Sequence, residues 1–137
     1  MTQSQQFDLS SLVAGLRMTA QGCCAELAAV ELLIAHRFWL TRADFRDRLI
    51  HTDTTPPGTD EPIPAWVNWT GAATALKFGR LACSSGEAAV LHIAGALATG
   101  GSLPASALTS LDRDNLARVL TATVRAGGYT KAHVEIR

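Results

Sequence analysis

Charge is scarce in this chain and neither sign prevails. Asp, Glu, Lys and Arg make up 18% of the 137 residues, below the quarter usual for a globular domain. Twelve basic and twelve acidic side chains cancel, so no net field draws the protein towards nucleic acid or anionic lipid. Long apolar runs are missing too. The richest segment, residues 27–40, is broken by Glu31 and by His36-Arg37, and residues 90–101 are too few for a bilayer span. The opening MTQSQQFDLSS has neither the basic stretch nor the apolar stretch of a secretory signal. A cytoplasmic protein with no membrane partner is expected.

Cysteine is limited to Cys23, Cys24 and Cys83. An odd number, with two adjacent, does not make the disulfide framework of a small secreted domain; reduced and mostly buried thiols are expected. Phosphate loop, dinucleotide fingerprint, serine elbow, zincin helix and calcium loop are all lacking. That lowers the expectation of an enzyme, and no catalytic, cofactor-binding or metal residue is assigned.

What is present is an apolar fraction of 47%, enough for one compact domain that buries about two-thirds of its unfolded surface. Ten of the twelve basic residues are arginine; with abundant alanine this accompanies high-GC coding and suggests a bacterial source. Residues 1–8 are polar and expected to be disordered. Leu9, Leu12, Val13 and Leu16 begin a helix, and Leu27, Val30, Leu33, Ile34 and Phe38 recur at helical spacing over about 22–39. Thr41 and Asp44 have capping-box spacing before a helix expected over 42–51.

Residues 51–64 hold four of the five prolines and three acids without a base, which predicts a mobile loop. Trp66, Trp69, Ala73 and Leu76 fit a helix over 65–78. Ser84 with Glu87 forms a second capping box before a helix of about 85–98, which Gly100-Gly101 ends. Pro104 opens a short helix to about 109, and Ser110 or Asp112 caps a longer one running to Gly127-Gly128. Ala132, Val134 and Ile136 alternate with polar neighbours, the pattern of one half-buried strand in need of a partner.

Several chemistry-bearing residues have simpler readings. His51 with Asp53, Asp60 and Glu61 offers imidazole and carboxylate ligands, yet the spacing is that of a solvated acidic loop. His92, between Leu91 and Ile93, reads as a packed helix residue, and Glu87 is explained by its cap. Glu26 and Glu31 are five apart, a poor register for converging carboxylates.

The order helix, short helix, helix, strand over residues 84–137 resembles a helix-turn-helix or winged-helix module. On that resemblance Arg113, Arg118 and Arg125 are the DNA-contact candidates. The region carries a net charge of only plus one, and Asp112 and Asp114 sit at the helix end that would approach DNA. Phe38, Trp39, Trp66 and Trp69 are the protein-interface candidates, being rigid apolar anchors if exposed.

The expectation is a mainly α domain of five or six helices in an orthogonal bundle, with a helix-turn-helix-like C-terminal half. Its expected role is non-enzymatic interaction or regulation through a homodimer. DNA-binding regulation is the alternative; small-molecule or metal-dependent catalysis is the remote one, calling for a polar pocket that joins Glu87, His92 and residues 51–61.

Overall fold

The computed structural model describes residues 9–54 and 60–137. The protein is mainly α: α1 (Leu9–Ala20), α2 (Cys24–His36), α3 (Ala43–Leu49), β1 (Ile50–Thr52), β2 (Ala65–Val67), α4 (Trp69–Lys77), α5 (Ser85–Thr99), α6 (Ala105–Leu108) and α7 (Arg113–Ala126). Residues 1–8, expected to be disordered, lie outside the described set, as do residues 55–59 of the proline-rich loop.

α2 is the central element. Its sequence is apolar on most sides, with Ala28, Ala29, Val30, Leu32 and Leu33 all buried, which is what a helix enclosed by neighbours requires. It packs mainly on α5 and α7 and also meets α1. Val90, Leu91, Ile93 and Ala94 of α5 and Val119 and Ala122 of α7 complete the core with Leu12 and Leu16 of α1. α7 is amphipathic, so α2 and α5 are covered while α7 keeps one wet face.

α2 ends at His36, three residues sooner than the apolar periodicity suggests. Arg37 takes a positive φ of 69°, and the Phe38 N–H donates to the His36 carbonyl at 2.8 Å. This tight three-residue turn, strained for any residue with a β-carbon, swings Trp39 into the core. There the ring is fully buried beside Phe45, with centroids 5.4 Å apart.

The Thr41–Asp44 capping box does not form. Arg42 is the N-cap of α3, Thr41 donates its hydroxyl to the Phe38 carbonyl, and Asp44 accepts from the Arg42 guanidinium and the Phe45 N–H. The guanidinium beside it holds the Asp44 carboxyl below the usual carboxylate range.

Two boundaries also differ around the acidic loop. α3 stops at Leu49 and the chain enters β1, so His51 and Thr52 belong to a strand. The expected helix from 65 starts at Trp69, because Ala65–Val67 form β2. β1 and β2 pair antiparallel, with Ile50 opposite Val67, His51 opposite Trp66 and Thr52 opposite Ala65. The Asp53 N–H donates to the Pro64 carbonyl at 3.0 Å, extending the pairing by one step. Asn68 then caps α4 by accepting from the Gly71 N–H.

The C-terminal helices match their punctuation. Ser84 and Glu87 make both bonds of the capping box, Gly100 ends α5 at a φ of 73°, and Asp112 caps α7 through the Asn115 N–H. The strand expected over 132–136 is not formed among the described residues; that segment has an unrelated set of partners.

Candidate functional site

Arg113, Arg118 and Arg125 lie on α7, and the segment after α7 folds back over the same helix. The Arg125 Nε donates to the Ala132 carbonyl at 2.8 Å. The Val134 N–H donates to the Thr121 Oγ1 at 3.0 Å, and Arg113 donates to the Ile136 carbonyl through Nε at 2.9 Å and Nη2 at 2.6 Å. Arg125 and Arg113 stand about 18 Å apart along the helix, and four residues of tail reach between them. An extended run of four residues, at about 3.3 Å per residue, covers most of that distance and the arginine side chains the rest, and the contacts fall in reverse order along the helix. The tail is therefore a strap antiparallel to α7, with Ala132, Val134 and Ile136 half-buried and His133 and Glu135 exposed.

The alternation expected of a strand is present, but side chains of α7 replace the partner strand. Peptide groups of alternate residues point to opposite edges of an extended chain. One edge, at Ala132, Val134 and Ile136, is bonded to Arg125, Thr121 and Arg113; no hydrogen bond is made among the described residues by the N–H or C=O of His133 or Glu135 on the other. Beside the strap a groove of about 440 Å³ opens between α2 and α7, with Glu31, Ala35, Arg118 and His133 among its walls.

This arrangement removes two of the three DNA-contact candidates from a free basic face, since Arg113 and Arg125 hold the strap. Arg118 donates to the Asn115 side chain at 2.8 Å. Its positive charge, together with burial as the larger cause, lowers the pKa of His36. The His36 Nδ1 is buried without a hydrogen-bond partner among the described residues.

The four interface candidates do not form one patch. Trp39 is fully enclosed and donates its indole N–H to the Glu87 carbonyl at 3.0 Å, so it belongs to the core. Phe38 is half-buried edge-on to Trp39, at 4.9 Å between centroids, with the Arg42 guanidinium over both rings. Trp69 is half-buried against the core. Trp66 alone is exposed, on the hairpin beside His51. Phe78, 63% exposed, and Tyr129 are larger surface aromatics that helical periodicity had no means of marking.

Cys23 and Cys24 are exposed and Cys83 is half-buried, correcting the expectation of mostly buried thiols: the pair sits at the α1–α2 corner, before the buried stretch of α2. Burial and the nearby Glu87 push the Cys83 thiol up. His92 is exposed rather than packed and lines a groove between α4, α5 and α6 with Lys77 and Ser106, whereas Glu87 is engaged in its cap. Glu31 forms an ion pair with Arg17 at 2.7 Å. Among the described residues, no three His, Cys, Asp or Glu side chains converge as metal ligands.

No family model, curated protein or solved structure matches this chain. Among the described residues, no helix is long and apolar enough to cross a membrane.

Proposed function

We propose that the protein is a non-enzymatic interaction domain that pairs with a second copy of itself through the outer edge of the C-terminal strap. The observation that carries this reading is the one-sided bonding of residues 132–136. An extended segment whose inner edge is pinned by Arg113, Thr121 and Arg125 presents preorganised donors and acceptors on its outer edge, the arrangement that accepts an added strand. Antiparallel pairing centred on His133 brings Lys131, in the turn that precedes the strap, towards Glu135 of the second copy at both ends, and opposite charges at such positions are favourable. Such an interface is self-complementary and closed, as a twofold dimer requires.

The alternative of DNA binding through α7 has less to draw on, because Arg113 and Arg125 are already donors to the strap. A cytoplasmic location accompanies the proposal, supported by exposed unpaired thiols at Cys23 and Cys24, which suit a reducing compartment.

Native mass spectrometry and light scattering test the reading with His133→Pro, which deletes an outer-edge N–H and leaves the inner bonds alone. The wild type is expected to be dimeric and the variant monomeric with unchanged helical content. A monomeric wild type, or a variant that stays dimeric, overturns the proposal.

A further inference from the structure

Most arginines of this protein already have a polar partner. Arg17 and Arg42 pair with Glu31 and Asp44, and Arg137 approaches Glu135. Arg46, Arg113 and Arg125 donate to backbone carbonyls, and Arg118 to Asn115. Among the described residues the guanidinium groups of Arg37, Arg48 and Arg80 make no hydrogen bond and no ion pair. Two of these three, Arg48 from α3 and Arg80 from the turn after α4, line the same groove of about 490 Å³.

The remaining walls suit an anion. Asn68, Thr70 and Thr74 contribute polar side chains, and among the described residues no carboxylate lines the groove. Arg80 also reaches the exposed Phe78 outside the lining, its Cζ 5.5 Å from the ring centroid, with the Lys77 Nζ at 5.8 Å. Thr70 and Thr74, four apart, share one face of α4, and Phe78 is the residue that follows its last turn. A cationic groove beside an exposed aromatic ring is what holds a nucleotide: cations take the phosphate and the ring offers a flat face to the base.

We infer that this groove binds nucleotide units, with phosphate at Arg48 and Arg80 and the base stacked on Phe78. The units come either from free nucleotides or from a single strand, and both present the same chemistry. This site is separate from the strap edge and does not depend on self-association. It also differs from the arginines of α7, which are held by the tail.

The test is fluorescence anisotropy of a labelled oligothymidine with the full chain at low salt. Wild type is expected to bind, with Arg48→Gln/Arg80→Gln and Phe78→Ala each weakening binding about tenfold or more. Phe78 and both arginines are exposed, and circular dichroism checks that each variant keeps its fold. Arg118→Gln/Arg137→Gln removes the same charge elsewhere and is expected to leave affinity unchanged. Competition by thymidine monophosphate at equal nucleotide concentration identifies free nucleotides as the source; competition only by unlabelled oligomer identifies a strand. Absence of binding, equal loss in the remote double variant, no loss in Phe78→Ala, or equally tight binding of duplex DNA overturns the inference.

Discussion

Gly15 in α1 lies directly beneath the backbone carbonyl of Ile63, so that a β-carbon at position 15 would overlap that oxygen and press on the Ala65 side chain. The contact docks the hairpin end of the chain on α1. Alanine is favoured over glycine inside a helix by about 1 kcal/mol, but the obstacle here is backbone and cannot rotate aside. Gly15→Ala is expected to lower stability by about 1–3 kcal/mol, read as a reduced midpoint in urea unfolding. A neutral or stabilising result would mean that α1 and the hairpin do not approach this closely.

Trp39 and Glu87 are joined across 48 residues by one indole N–H donated to a backbone carbonyl. Trp39→Phe keeps a ring in the core but removes this bond and leaves a gap beside Phe45. A loss of about 1–3 kcal/mol is expected. Measured by thermal unfolding, Glu87→Gln should cost less than Trp39→Phe, because the amide oxygen of Gln still closes the capping box.

Stability should also depend on pH below neutrality. The folded His36 pKa is depressed by burial first and by the Arg118 cation second. An unfolded histidine titrates near 6.5, so below that pH the unfolded chain binds more protons than the native one. Stability is therefore full above about pH 6.5 and falls as pH drops towards the folded pKa. Equilibrium unfolding at a series of pH values should show this slope, and His36→Gln should flatten it. The depressed Asp44 contributes a separate loss at more acidic pH, through the same sign of linkage.

Thr121 connects helix and strap: its hydroxyl donates to the Ala117 carbonyl and accepts from the Val134 N–H. Thr121→Val preserves shape and removes the acceptor, leaving a half-buried donor unpaired. The expected result is about 1 kcal/mol lost, with faster amide exchange of Val134 by hydrogen–deuterium exchange. Exchange that is unchanged would mean that the Arg113 and Arg125 clamps hold the strap without Thr121.

Local chemistry was legible in the sequence where a few neighbouring residues settle the matter. Ser84 with Glu87, Asp112, and Gly100 mark the ends of α5 and α7 because caps and terminators act within one turn. The hairpin was hidden, since each strand has three residues and the partners are separated by a long proline-rich segment rather than by a tight two-residue turn. The stop at His36 was hidden as well: nothing in Arg37 advertises a positive φ, which is imposed by the burial of Trp39 two residues later.

The site residues show the same division. Spacing along α7 places Arg113 and Arg125 on a helix but says nothing of the carbonyls that occupy them. The alternation at 132–136 correctly marks a half-buried extended segment, while its bonding to side chains rather than to a strand arises only in three dimensions. Arg48 and Arg80 are separated in sequence by the hairpin and α4, so their shared groove has no sequence signature.

The pairing of Asp53 with Pro64 next to the hairpin ends makes the two chain segments neighbours independently of what connects them. The closure is made entirely by main-chain groups, so Asp53→Ala leaves it in place, whereas Asp53→Pro removes the N–H that makes it and frees the open end of the hairpin.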